Sequence, residues 1–148
     1  MKKLIVLLLT TLPMTAFCEP NKNDVETLCL AIFKAASITV IGKNGGLPKT
    51  DFLSRIPSVE ELTKKPITNE KLLQIEKRKI VLEVYKYEDF DRWVYPAYKA
   101  EVCFKRFSKK SSIKLFPFAL QELTLCNKLS NKRDKMVCAS KVANSNGT

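Results

Sequence analysis

The chain contains no histidine. That absence excludes the Ser-His-Asp triad, the Cys-His dyad and every zinc site built with imidazole. Any catalysis would have to rest on Asp, Glu, Lys, Tyr or Ser, so a binding role is expected rather than an enzymatic one. No Cys-x-x-Cys pair occurs either, which argues against a thiol redox centre. Glycine is scarce, with four in 148 residues, three of them at Gly42, Gly45 and Gly46. Their segment lacks the Gly-x-x-x-x-Gly-Lys-Ser/Thr pattern that cradles phosphate, and reads as a helix stop and loop. No run alternates with period two long enough to demand a sheet, and no internal repeat is evident.

What is present begins at the N-terminus. Lys2 and Lys3 precede an apolar run, Leu4 to Leu12, that Pro13 ends. Ala16-Phe17-Cys18 places small residues where a signal peptidase needs them. The run is shorter than the roughly 20 residues of a spanning helix. Residues 1–18 are therefore expected to be a cleaved signal peptide. Residues 19–143 form a single helical domain in this reading, and residues 144–148 a polar tail. Lipidation of Cys18 is the rival use of that cysteine, and bulky Phe17 before it argues against this. Export, to the periplasm or beyond, places the mature chain where cysteines pair.

Loss of Lys2 and Lys3 lowers the net charge from +11 to +9. A basic exported protein favours anionic partners: an acidic protein, phospholipid headgroups or a cell-wall polymer. Nucleic acid is not expected among the partners. No cofactor or metal is expected; a thiolate-only metal site would need all four mature cysteines.

Those four are Cys29, Cys103, Cys126 and Cys138, an even number that reads as two disulfides. Cys126 and Cys138 flank a turn expected at 127–131, so two antiparallel helices would bring them face to face. Cys29 would then pair with Cys103.

The periodicity is helical throughout. Val25, Leu28, Cys29, Ile32, Phe33, Ala36 and Val40 recur at helical spacing behind a capping pattern, Asn23 to Glu26, and Gly42 is the expected stop. A short helix is expected over 50–56, and Ser58 to Glu61 is a second capping box. The longest helix should run from Asn69, with Leu72, Leu73, Ile75, Ile80, Val84 and Tyr87 inward. Residues 88–95 read as irregular. Pro96 opens the next helix and Pro117 another. Ser130 caps the last. The prediction is an all-α fold, a small bundle of about five or six helices stapled by two disulfides.

The segment Leu125-Cys126-Asn127-Lys128-Leu129, followed by Arg133 to Ala139, resembles a two-cysteine helical hairpin of small bacterial exported proteins, some of which accompany type VI secretion systems. The central region resembles the type VI amidase-immunity (Tai-like) proteins, which are helical periplasmic inhibitors. The matching features are Cys29 in the first helix, the Ile80–Tyr87 helix, the aromatic-proline segment Trp93 to Pro96, and Cys103 in the following helix. The resemblance implies inhibition through protein–protein contact. The basic balance and the Cys126–Cys138 extension depart from that pattern, and no binding residue is carried over.

Two stretches hold the candidate site residues. In the first, Trp93, Tyr95 and Phe90 lie among Asp89 and Asp91. Trp and Tyr commonly anchor interfaces and also fill small cores. Trp93 and Tyr95 are the surface candidates, while Tyr87 and Tyr98 are expected in the core. The acids are expected to face water rather than to act as a glycosidase pair. The second stretch is a basic patch, Lys105, Arg106, Lys109 and Lys110. Phe104 and Phe107 beside it suit peripheral contact with an anionic membrane or an acidic protein. The leading expectation is an exported immunity or inhibitor protein. The alternatives are an accessory component of an envelope secretion or conjugation machine, and a cationic envelope-active factor.

Overall fold

A computed structural model describes residues 21–87, 90–108 and 113–145. Among them are seven helices and no strand: α1 (Lys22–Asn44), α2 (Lys49–Leu53), α3 (Val59–Thr63), α4 (Asn69–Lys86), α5 (Val94–Phe107), α6 (Phe116–Asn127) and α7 (Lys132–Asn144). The all-α prediction holds. The expected signal peptide, with Cys18, lies outside the described residues.

Helices α1 and α5 form the centre. α4 packs against α1, α7 packs against α5, and α6 rests mainly on α7. The short α2 and α3 sit on α4. The inward face of α1 carries Leu28, Cys29, Ile32, Ala36 and Val40, at the spacing read from sequence. Ile80 and Val84 of α4 and Tyr95, Tyr98, Val102 and Cys103 of α5 meet them.

Both disulfides form as expected. Cys29 and Cys103 join α1 to α5 with Cα atoms 5.5 Å apart, and Cys126 and Cys138 close the α6–α7 hairpin at 5.7 Å.

The helix ends refine the sequence reading. Asn21, not Asn23, caps α1, accepting from the Asn23 amide at 3.2 Å. α1 does not stop at Gly42 but runs to Asn44. Gly42 serves a different purpose: a Cβ there would lie 2.4 Å from Cζ of Phe52, so its bare Cα lets that ring close on α1. The actual turn is made at Gly45 and at Gly46, whose φ of 83° suits glycine. The Ser58 capping box is present, with the Glu61 carboxylate accepting from the Ser58 amide at 2.6 Å. Asn131 rather than Ser130 caps α7, accepting from the Asp134 amide at 3.1 Å. Asn144, placed in the tail by sequence, is the last residue of α7 and donates to Glu101 at 3.0 Å.

Candidate interaction surface

The stretch read as irregular folds into helix earlier than Pro96 suggested. Asp91 is the reason. Its Oδ1 accepts from the backbone amides of Trp93 at 2.8 Å and Val94 at 3.3 Å, satisfying donors that a helix start leaves without partners. Its other oxygen accepts from Lys135 of α7 at 2.5 Å. Burial pushes the Asp91 carboxyl up, but the hydrogen bonds from Lys135, Trp93 and Val94 outweigh it and hold the group below the ordinary carboxylate range. Trp93 thus becomes the N-cap position of α5, and Tyr95 falls in its first turn.

That helical phase corrects two site expectations. Tyr95 is wholly buried, with 0% of its surface exposed, and Phe90 is also in the core. Phe116 of α6 draws them in: its ring centroid lies 5.6 Å from that of Tyr95 and 5.7 Å from that of Phe90. Tyr87 and Tyr98 pack on the same ring, at 5.3 and 6.1 Å. Neither Phe90 nor Tyr95 can anchor a partner from that position. Asp89 lies outside the described residues.

Beside this cluster sits a group of charges that the sequence reading did not single out. Lys99, on the buried side of α5 with 5% of its side chain exposed, places Nζ 3.2 Å from Glu83 and 3.6 Å from Glu76 of α4. The Tyr95 hydroxyl donates to the same Glu83 oxygen at 2.6 Å. Arg106 reaches Glu76 at 2.9 Å. Burial disfavours the ionised Glu76, yet Lys99, Arg106 and Lys79 together keep its pKa below the ordinary value. The Tyr95 hydroxyl is raised well above a free phenol, first by burial and then by the Glu83 charge. A cavity of about 100 Å³ beside the cluster is bounded by Leu28, Leu72, Val102 and Cys103. Each charge has its opposite within reach, so the cluster acts as a polar latch between α4 and α5.

The basic patch is dismantled in the same way. Lys105 is buried and donates to the carbonyl of Ala143 at 3.3 Å, at the C-terminal end of α7. A cation there complements the negative end of the helix. Arg106 is engaged by Glu76. Lys109 and Lys110 lie outside the described residues. Lys43 repeats the device at the end of α4, donating to Val84 at 2.8 Å and to Tyr87 at 2.5 Å. A share of the positive charge therefore holds the fold rather than facing a partner.

Trp93 remains at the surface, half-buried. Lys132 of α7 places its ammonium 3.9 Å from the ring centroid, and the Arg92 guanidinium lies 4.9 Å from it. Such contacts hold an aromatic in place at a charged surface. Arg92, Lys128, Lys132 and Arg133 are all exposed around the end of the α6–α7 hairpin.

Two apolar surfaces were missed by the sequence reading. Leu115, Phe118, Leu125 and Leu129 stand exposed along α6 and its ends. With Glu122 they recur at steps of three and four, the spacing of a helix–helix seam. Glu122 is ion-paired with Lys114. The second surface is a groove of about 260 Å³ between the end of α1 and α2, lined by Ile38, Ile41, Leu47 and Phe52 with Asp51 and Arg55. The signal was available: Ile38 and Ile41 fall opposite the Ala36–Val40 stripe on α1.

Among the described residues, no group of acids and cysteines is arranged to hold a metal ion. No protein-family model matches the chain, and no curated protein or solved structure matches it.

Proposed function

We propose that the chain is an exported, periplasmic binding protein of the immunity or inhibitor kind, which occludes an acidic protein partner by surface contact rather than by catalysis. The observation that carries the reading is Trp93 at the surface beneath Lys132 and beside Arg92. Tryptophan and arginine are the residues in which binding energy most often concentrates. The helices beneath them are fixed by two disulfides, which suit an oxidising compartment and a scaffold that loses little freedom on binding. The cations around Trp93 favour an acidic face and steer its approach.

The test is capture of a partner from periplasmic extract of the native host on immobilised mature protein. A specific protein retained at low salt, released at high salt and lost with Trp93→Ala supports the reading. Retention of no protein, or retention indifferent to Trp93, contradicts it. The type VI connection stands or falls separately: protection of cells against a neighbouring toxin gene supports it, and an unchanged phenotype removes it.

A further inference from the structure

The geometry points to a second surface with a different partner: the outer face of α1, with the α2 groove at its end, docks on an anionic phospholipid surface. α1 is 23 residues long and apolar enough to cross a membrane by length and composition, yet only 33% of its apolar stretch is buried inside the domain. The Cys29–Cys103 bond and the packing on α4 and α5 hold it in the fold, so it cannot leave to span a bilayer. Beyond its first two turns, where Glu26 and Thr27 are exposed, the outward side of α1 is mainly apolar. Leu30, Ile38, Ile41 and Leu47 are 49%, 62%, 50% and 49% exposed.

On α1, Leu30, Lys34, Ile38 and Ile41 are separated by steps of four, four and three, which places them on one face. From Leu30 to Ile41 that face is about 16 Å long at the helical rise. A helix lying in the plane of a membrane buries such a face at the headgroup boundary, and anionic lipids add to the attraction. The cations are placed for this. Lys34 stands on the face itself, where its long stem can lie along apolar surface while the ammonium reaches outward. Arg55 lines the groove at the far end and Lys49 is the first residue of α2, both exposed, with Asp51 between them in sequence. The partner is therefore a negatively charged bilayer, and a neutral one should not suffice.

The inference is independent of Trp93 and of the proposed inhibitor role. The test is flotation of the mature, disulfide-bonded protein with vesicles of phosphatidylglycerol and phosphatidylethanolamine, against vesicles of phosphatidylcholine alone. We expect co-flotation with the anionic vesicles at low salt, at least tenfold less at high salt, and none with phosphatidylcholine. Ile38→Asp with Ile41→Asp should abolish it at an unchanged melting temperature, because both side chains are already exposed. If that pair lowers the melting temperature, Lys34→Glu with Arg55→Glu carries the same expectation. Trp93→Ala and Phe118→Asp should float as the parent does. Absence of flotation at low salt, equal flotation with phosphatidylcholine, or flotation unaffected by either pair of substitutions overturns the inference.

Discussion

The ammonium nitrogen of Lys132, at the start of α7, lies 3.9 Å from the centroid of the Trp93 ring, at the start of α5. Two helix beginnings are thereby joined at the surface, and Asp91 joins them again below through Lys135. Trp93→Ala should remove the contact without opening the core. We expect a loss of about 1–2 kcal/mol in stability, from the half-buried ring and its cations. Thermal unfolding of the variant checks this.

Tyr95 should behave oppositely. It is buried and stacks on Phe90 and Phe116. Tyr95→Ala should cost about 3–5 kcal/mol, as for a large aromatic removed from a core. Tyr95→Phe keeps the ring but takes away the donor to Glu83, and should cost about 1–3 kcal/mol. Denaturant unfolding of both variants separates ring from hydroxyl.

The Lys99 latch can be tested by removing one partner. Lys99→Met would leave Glu83 and Glu76 facing each other across a partly buried space. Breaking a buried pair from one side commonly costs about 3–5 kcal/mol. Replacing Glu83 as well, by Gln, should recover part of that loss, because the uncompensated charge is then reduced. A double-mutant cycle showing strict additivity would mean the two groups do not interact.

The pH dependence follows from the same groups. The Glu76 and Asp91 carboxyls are held below their unfolded values. Their contribution is fully present above the unfolded pKa, about 4, and is lost as pH falls through the lower folded values. Tyr95 is raised, so its contribution is present below the unfolded pKa of about 10 and is lost as pH climbs above it. The melting temperature should therefore be flat between these limits and fall at both ends. With no histidine in the chain, no midpoint near pH 6–7 is expected from side chains.

Thiol titration of the denatured, unreduced protein starting at Glu19 should find no free cysteine. The Cys126–Cys138 bridge closes a short loop and the Cys29–Cys103 bridge a long one. Loop-closure entropy assigns them about 3 and somewhat over 4 kcal/mol. Replacing Cys126 and Cys138 by Ala should leave a folded core with a loosened hairpin. Replacing Cys29 and Cys103 should cost more. Intact mass showing a diacylglyceryl group on Cys18 would contradict the expected start at Glu19.

The helices, the inward stripe of α1 and the Cys126–Cys138 bridge were legible because they depend on local spacing, and Cys29–Cys103, 74 residues apart, followed as the one pair left. Val25 to Val40 shows its period within one helix, and Cys126 and Cys138 face each other across one turn. Tyr95 was misread for a non-local reason. Its partner Phe116 lies on another helix, and nothing in the spacing of residues 88–95 announces that ring. The start of α5 was misread because Pro96 resembles a first helical residue, while Asp91 had already capped the turn before it. Lys105 and Arg106 look like a patch in a linear reading. Their directions are decided by the end of α7 and by Glu76, which only tertiary packing brings close.

The most direct test of the account measures partner affinity and melting temperature on the same samples of parent and Trp93→Ala protein. A surface anchor predicts an affinity loss of about 2 kcal/mol or more, roughly 30-fold, with a melting temperature only a few degrees lower. Unchanged affinity of the folded variant, with a large drop in melting temperature, would contradict it and make Trp93 a part of the scaffold.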